Sequence, residues 1–378
     1  MITFLLLRLL VTLVLALHFL LRLRLAYGPG RWLLPVILAL LALVTLQNWP
    51  DRVQAWLGQA AEGLLYAAPL ALGYLLFFLL AALALDLLRL ALASSSALGA
   101  PAAWRELLTA GRSVSLALIL ASGLIVYSYL EAHQFRLARV ELETAKLPAE
   151  VAELRIVQVS DVHLSRFIGH EELGKMLALV LEAAPDLVVF TGDLLDSPPG
   201  AAYDREAALL AGLRPRLGVF AVLGNHETYF GLPAALDFYR RAGLTLLRGQ
   251  AGTPPGLVVA GVDDTADGQE AGRLLETFRD DRRFILFLKH RPTPAPEAPG
   301  LFDLQLSGHT HGGQIWPNHF PTARANGRLL HGLYPATGGG WIYVSRGAGF
   351  WGLPLRFLAP PEVTLFILHR PANQRLPD

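Results

Sequence analysis

Cysteine is absent from the 378-residue sequence, and charged residues make up only 17% of it. The absence of cysteine excludes disulfide bonds, thiolate metal sites and thiol nucleophiles, and it fits any cellular compartment. The formal net charge is +1 and no long basic block occurs, so we expect no nucleic-acid partner.

Apolar residues, in contrast, are abundant, at 53% of the chain. Their excess lies in roughly the first 130 residues, in four apolar segments, at positions 2–21, 32–46, 64–85 and 114–130. A bilayer crossing needs about 20 mainly apolar residues, and four such runs exceed what a soluble core can bury. We therefore predict a transmembrane region of about four helices over residues 1–132, which anchors the chain in a lipid bilayer.

Arginine in the predicted loops indicates the orientation of these helices, because cytoplasmic loops carry an excess of Lys and Arg. Arginines follow the first and the third segments, at Arg22, Arg24, Arg31, Arg89, Arg105 and Arg112. With four crossings, this pattern places the C-terminal half outside the cytoplasm. Arg136, Arg139 and Lys146, which follow the fourth segment, weaken the bias.

From residue 154 the pattern changes to short apolar runs that end in polar residues and alternate with helix-like stretches. Such runs predict the buried strands of an α/β fold. We assign residues 154–370 to this domain, residues 133–153 to a charged linker before it, and residues 371–378 to a C-terminal tail.

Five of the apolar runs end in side chains that can bind metal ions. These side chains are Asp161, His163, Asp193, Asn225, His226, His290, His309 and His311. Each run end alone has an ordinary explanation, such as a helix cap, a turn or a solvated histidine. In layered α/β folds, however, sites form at the carboxyl ends of strands, and nitrogen and oxygen donors suit a first-row divalent ion. The five ends together predict one metal site.

The run end Gly308-His309-Thr310-His311 contains two histidines two residues apart. In an extended segment, residues i and i+2 point the same way, so both imidazoles are expected on one side of the chain. The role of Asp196 stays open, and Asp263 and Asp264 are not assigned to the site. Asp196 either supports the site or caps the next segment, and solvation of a loop is sufficient to explain Asp263 and Asp264.

The order of these motifs over residues 154–368 resembles the calcineurin-like metallophosphoesterase superfamily. Residues 308–314 and 345–349 are similar to a bacterial membrane-associated branch, which includes UDP-diacylglucosamine pyrophosphatases and related lipid-surface phosphodiesterases. The resemblance implies a four-layer α-β-β-α sandwich of two sheets, here preceded by an N-terminal four-helix transmembrane bundle. It also implies a location in a bacterial inner or cell membrane, and the arginine distribution described above places the catalytic domain on the extracytoplasmic side.

Carried over residue by residue, the resemblance implies two divalent metal ions, of Mn, Fe, Zn or Mg. The first ion would be held by Asp161, His163, Asp193 and His311, and the second by Asp193, Asn225, His290 and His309. His226 would be the catalytic acid. The sequence departs from the pattern of the protein Ser/Thr phosphatases of this superfamily, in which Asp-Arg-Gly comes after the Gly-Asp motif. Here Ser197, Pro198 and Pro199 follow Asp196, which argues against a protein-phosphatase activity.

We therefore expect a membrane-anchored, metal-dependent hydrolase that cleaves a phosphodiester or pyrophosphate bond, with a lipid-linked phosphate as its substrate. One alternative is a tethered general phosphodiesterase or nuclease that acts on soluble substrates. Another is a membrane sensor or transporter whose C-terminal domain only binds a ligand. The aromatic residues Trp316, Phe320, Phe350 and Trp351 either form a lipid-facing rim near the site or belong to the core.

Overall fold

The computed structural model describes residues 2–28, 59–97, 109–196, 203–229, 231–266, 268–293 and 298–371, with single positions at Pro35, Ala39 and Ala42. The chain divides into two compact units. The helical unit comprises Met1–Leu130 with Gly352–Leu355, and the sandwich unit comprises Glu131–Trp351 with Arg356–Asp378.

The helical unit contains α1 (Ile2–Tyr27), α2 (Gln59–Ala97) and most of α3 (Ala110–Ala132). All three helices are long and apolar enough to cross a membrane. The first, third and fourth predicted segments fall on them, whereas the second, residues 32–46, lies outside the described residues apart from three single positions. Leu15 and Ala16 of α1 pack with Leu75 of α2, and Arg22 of α1 forms an ion pair with Asp86 of α2.

The sandwich unit is built on two six-stranded mixed sheets. The first sheet has the strand order β1-β12-β2-β3-β4-β5. Its strands are β1 (Arg136–Glu143), β2 (Glu153–Val159), β3 (Leu187–Thr191), β4 (Val219–Val222), β5 (Thr245–Leu246) and β12 (Glu362–His369). The neighbours β2, β3, β4 and β5 run parallel, and β12 is antiparallel to β2.

The second sheet has the order β10-β11-β9-β8-β7-β6. Its strands are β6 (Gln250–Gly252), β7 (Leu257–Gly261), β8 (Phe284–Leu288), β9 (Leu304–Ser307), β10 (Gly332–Pro335) and β11 (Trp341–Val344). Strands β7, β8, β9 and β11 run parallel, whereas β6 and β10 are antiparallel edge strands.

Helices connect the strands and cover the outer faces of the sheets. They are α4 (His170–Glu182), α5 (Asp204–Ala211), α6 (Asn225–Tyr229), α7 (Leu232–Arg241), α8 (Gly268–Glu276) and α9 (His319–Ala325), with a 3₁₀ turn at His311–Gly313. The core between the sheets contains Ile156 and Val189 of the first sheet with Leu286 of the second. On the outer faces, α4 and α7 pack on the first sheet and α8 packs on the second.

The strand sequences explain this layering. Successive residues of a strand point to opposite faces, and in β2 Ile156 lies in the core between the sheets while Val157 faces the helices. Because both faces of the central strands are covered, β3, β7 and β8 are buried along their whole length, as continuous apolar runs predict. Two mixed sheets with helices confirm the predicted α/β fold of this half.

The segment predicted as a linker, residues 133–153, contributes a strand. Within it, β1 pairs in parallel with β12, from Arg136 opposite Glu362 to Glu143 opposite His369. Its burial is alternating and partial, as expected for an edge strand with one face toward solvent. Only three residues therefore separate the end of α3 from the first sheet along the chain.

Candidate metal centre

The residues predicted at strand ends meet where the carboxyl ends of the two sheets come together. Asp161 and His163 follow β2, and Asp193 follows β3. Asn225 and His226 open α6, just after β4. From the second sheet, His290 follows β8, and His309 and His311 follow β9. Parallel neighbours place their ends at one edge, so the strand order explains why these side chains meet.

Asp161, His163 and His311, here called the first cluster, form one group with metal-ligand spacing. The Nε2 atoms of His163 and His311 lie 2.9 Å apart, and His311 Nε2 lies 3.4 Å from Asp161 Oδ1. All three side chains are buried. Two ring nitrogens and a carboxylate oxygen therefore point at a common space.

Asp193, His290 and His309, here called the second cluster, form another such group. His290 Nε2 lies 3.1 Å from Asp193 Oδ2. The other ring nitrogen of His290 lies 2.8 Å from the Thr191 carbonyl oxygen, and a bond there directs Nε2 toward the carboxylate. The His309 ring is 5.2 Å from that of His290.

Asp193 belongs to the second cluster and also lies close to the first. Its Oδ2 is 3.9 Å from His163 Nε2 of the first cluster and 4.0 Å from His226 Nε2. Asn225 adjoins this carboxylate through the backbone, since the next amide, of His226, donates to Asp193 Oδ1 at 2.9 Å. The buried Oδ1 of Asn225 has no hydrogen-bond partner among the described residues. A carboxylate close to both clusters and an amide oxygen without a partner fit a pair of metal ions.

His226 is oriented by a carboxylate. Its Nδ1 lies 2.7 Å from Asp196 Oδ1, and the same oxygen lies 3.5 Å from His163 Nδ1. The rings of Tyr229 and Trp351 flank the imidazole, at centroid distances of 5.6 and 5.9 Å. Of the two roles left open for Asp196, the geometry favours support of the site, because its carboxylate contacts two of the site histidines.

The charges of the site shift the pKa values of the two central carboxylates in opposite directions. Burial would raise the pKa of Asp193, but His290, His163 and His226 hold it well below its usual range. Burial raises the pKa of Asp161, and the charge of Asp193 adds to this effect. Burial alone would lower the pKa of His290, yet Asp193 raises it to about 10. Asp193 is therefore the ionised carboxylate around which the imidazoles gather.

Comparison with known proteins decides the family. Residues 154–313 match the family model of calcineurin-like phosphoesterases. An uncharacterised metallophosphoesterase of Aquifex aeolicus is 38% identical over 255 residues, which are 65% of this chain and 97% of that protein. The chain belongs to the calcineurin-like phosphoesterase family. Within the family, an uncharacterised metallophosphoesterase of Bacillus subtilis is 35% identical and matches 64% of this chain and 87% of its own.

A transmembrane protein with a metallophosphoesterase domain from Danio rerio is also similar. It is 31% identical over 278 residues, which are 68% of this chain and 63% of that protein. The family identifies the protein as a metal-dependent phosphoesterase. The three apolar helices, together with such a relative, indicate association with a membrane.

The backbone of this phosphoesterase is unusual at the site. Among the described residues, nine that are not glycine have positive φ angles, and five of these are predicted ligands: Asp161, His163, Asp193, His309 and His311. The extended conformation that we expected for residues 309–311 is therefore wrong. His309 has φ 72° and His311 has φ 50°, so a left-handed turn brings each ring to a different cluster. Strain of this kind persists where the surroundings enforce it.

Glycines next to the ligands permit close approach of the backbone. A Cβ atom on Gly224 would overlap Oδ1 of Asp193, and a Cβ atom on Gly308 would overlap Oδ2 of Asp161. The Gly-Asn-His and Gly-His-Thr-His motifs therefore need glycine for space at the carboxylates.

Sequence reasoning missed three buried residues that hold the ligands in place. Glu227 accepts hydrogen bonds from the amides of Gly224, Asp193, Leu194 and Leu195. Gln158 donates to Thr191 Oγ1 at 2.8 Å and to the Ser307 carbonyl at 3.0 Å, which links the two sheets. Arg356 lies 3.2 Å from His311 Nδ1 and donates to nearby carbonyls. Glu227 alone had a signal, since it ends the Gly-Asn-His-Glu run.

The structure divides the remaining aromatic candidates into buried and exposed residues. Phe350 is buried and belongs to the core, whereas Trp316, Phe320 and Trp351 are exposed. Asp263 forms an ion pair with Arg248 and is in neither cluster.

Proposed function

We propose that the protein is a membrane-anchored phosphoesterase with two metal ions, which hydrolyses a phosphodiester or pyrophosphate bond of a lipid-linked substrate. The observation that carries this proposal is the position of Asp193, in one ligand cluster and close to the other, at one edge of the sandwich. The same chain has three helices suited to crossing a membrane, which supports a substrate that is itself held in a bilayer.

The donor set fits two divalent ions. Asp161, His163, Asp193 and His311 would hold the first, and Asp193, Asn225, His290 and His309 would hold the second. When bound, two such ions polarise a phosphoryl group and lower the pKa of a water molecule. Mixed nitrogen and oxygen donors suit Mn, Fe, Zn or Mg. Asp193, the shared ligand, keeps its negative charge at neutral pH because the surrounding imidazoles lower its pKa.

His226 would donate the proton that the leaving alkoxide requires. Asp196, at 2.7 Å from its Nδ1, orients the imidazole. His226 Nε2 faces the site, 4.0 Å from Asp193 Oδ2. No protein nucleophile is needed in this proposal, since water attacks the phosphorus.

We further propose that the sandwich unit lies on the extracytoplasmic side of a bacterial inner membrane. The arginine distribution over four predicted crossings supports this orientation. Because the chain has no cysteine, a single cysteine at Leu181, an exposed position, tests it. A membrane-impermeant thiol reagent should label that cysteine in intact cells. Labelling only after the cells are broken would mean that the sandwich unit faces the cytoplasm, and it would contradict the proposed orientation.

A hydrolysis screen of the full-length protein in lipid nanodiscs tests the activity. Each candidate metal is added to chelator-treated protein, and the substrates are phospholipids, a nucleotide-linked lipid and bis-p-nitrophenyl phosphate. We expect metal-dependent hydrolysis that is fastest on a lipid substrate and is lost in Asp193→Asn. Equal or faster turnover of the soluble diester would favour the tethered general phosphodiesterase. No metal-dependent hydrolysis of any substrate would contradict the proposal.

A further inference from the structure

Four exposed apolar side chains lie on α9 and on the loops in the part of the chain that follows the ligand His311. We call Trp316, Phe320, Trp351 and Leu358 the aromatic rim. They are 42%, 69%, 42% and 56% exposed. Large apolar side chains exposed this strongly and grouped together mark an interaction surface.

Hydrogen bonds join the rim loops to each other. The amide of Trp316 donates to the Phe357 carbonyl at 3.1 Å, next to Leu358. The Gln314 side chain bonds both the amide and the carbonyl of Trp351, each at 2.9 Å. Trp351 also packs edge-on against His226. His319, which precedes Phe320 in α9, has its Nε2 3.3 Å from the Leu358 carbonyl oxygen. These contacts make the aromatic rim one surface, and it borders the site at His226.

The chain segment that carries the rim contains basic residues but no acidic ones. No aspartate or glutamate occurs between Asp303 and Glu362, a stretch that contains four arginines. Arg356 is buried and Arg346 is paired with Glu362. Arg324 and Arg328 are exposed, and neither has an ion-pair partner among the described residues. Together with Phe320 they line a surface depression of about 670 Å³.

We propose that the aromatic rim, with Arg324 and Arg328, is a docking surface for an anionic bilayer. Trp and Phe side chains are favoured at the boundary between headgroups and acyl chains, and unpaired arginines are attracted to anionic headgroups. Along the chain, only three residues separate α3, a helix suited to crossing a membrane, from β1 of the sandwich unit. This proposal rests on membrane association and not on the proposed hydrolysis.

A fluorescent label on the rim tests the docking without any substrate. Phe320→Cys, and separately Leu358→Cys, is labelled with an environment-sensitive dye in the full-length protein. Each protein is reconstituted as one copy per nanodisc, in neutral or in anionic lipid, and some discs carry a lipid-attached nitroxide quencher. Leu181→Cys is the matched control, since Leu181 of α4 is 63% exposed and apolar but is not in the rim.

We expect the labels at positions 320 and 358 to shift to shorter emission wavelengths and to be quenched in anionic discs. The label at 181 should remain water-like. Adding Arg324→Glu and Arg328→Glu should reverse the shift while the thermal unfolding midpoint stays unchanged. Water-like emission from both rim labels in anionic discs would overturn the proposal. So would a shift that the charge reversal leaves intact, since the surface would then be covered by an apolar partner rather than by anionic lipid.

Because the readout needs no turnover, a failure of docking can be distinguished from a failure of the phosphoesterase proposal. A protein that hydrolyses lipid substrates with a water-exposed rim would lose only the docking proposal. A protein with a lipid-buried rim and no hydrolysis would lose only the proposed activity.

Discussion

The two ligand clusters differ in the sheet that supplies most of their side chains. In the first cluster, Asp161 and His163 come from the first sheet and His311 from the second. In the second cluster, one side chain, Asp193, comes from the first sheet, and two, His290 and His309, come from the second. Neither sheet alone therefore carries a complete cluster, and the site exists only when the sheets pack together.

Three contacts between the sheets show how that packing is fixed at the site. Gln158 reaches the Ser307 carbonyl, and His290 Nδ1 lies 2.8 Å from the Thr191 carbonyl oxygen. The amide of His309, a residue of the second cluster, donates to Asp161 of the first at 2.9 Å. Each cluster is thus held by the same contacts that join the sheets.

The clusters also differ in charge. Burial raises the pKa of Asp161 in the first cluster, whereas the imidazoles around Asp193 lower its pKa in the second. Burial and the charge of His290 lower the pKa of His309 to about 3, which keeps this ring neutral. Burial and His163 likewise lower the pKa of His311. The neutral imidazoles keep a free lone pair, as metal ligands must.

The largest effect is expected from Asp193→Asn, because this residue belongs to both proposed ligand sets. The loss of several kcal/mol of charge stabilisation should lower kcat/KM by more than about a thousandfold. Elemental analysis should find fewer metal ions per chain than in any variant of a single histidine. If the variant instead retains both ions, Asp193 is not shared between the clusters.

A matched pair, His311→Ala and His309→Ala, separates the two clusters. Each substitution removes a ligand from one cluster, so each should lower the metal content by about one ion of the two proposed. The ion that remains should bind with an affinity close to that in the wild type. Titration of chelator-treated protein measures both quantities. Loss of both ions from each variant would mean that the clusters act as a single site.

A third comparison concerns catalysis apart from metal binding. His226→Ala should retain its metal ions but lose about 10²–10⁴-fold in kcat on substrates with an alkoxide leaving group. The loss should be much smaller with p-nitrophenyl esters, since p-nitrophenolate leaves without protonation. Asp196→Asn should cost about 10–100-fold, because it acts by orienting His226. Equal losses with both leaving groups would exclude His226 as the acid.

The sequence predicted those features of the site that depend on the end of a single strand. It did not predict the features that depend on contacts between segments distant along the chain. The positions of Asp161, Asp193 and His290 follow from strand ends, and a parallel sheet must bring such ends together. The left-handed conformation of His309 and His311 is imposed by packing against Asp161 and the neighbouring loops, so no local pattern predicts it. The pairing of β1 with β12 joins opposite ends of the domain, which a reading along the chain cannot detect.

Supporting residues were missed for a related reason. Gln158 and Arg356 have no distinctive neighbours in the sequence, and their roles arise from contacts with residues distant along the chain. The aromatic residues show the same limit. Phe350 and Trp351 are adjacent, yet one is buried and the other exposed, because neighbouring side chains of a loop can face opposite directions.

The smallest effect on turnover is expected from Glu227→Gln, because Glu227 is in neither ligand cluster. It acts indirectly, by holding the Asp193 loop through backbone amides. It accepts bonds from Gly224, Asp193, Leu194 and Leu195, at 2.7–3.1 Å. A glutamine amide group would face some of these donors with its own N–H groups. Each buried donor left unpaired costs about 1–3 kcal/mol.

We therefore expect the thermal unfolding midpoint of Glu227→Gln to fall, by about 2–4 °C for each kcal/mol lost in a domain of this size. Glu171→Gln, at an exposed position of α4, is the matched control. Because the loop carries Asp193, metal affinity should fall in both clusters together, unlike in the two histidine variants. If Glu227→Gln unfolded at the same temperature as the control, the carboxylate would not be what holds the loop, and the four amide bonds would be replaceable by water.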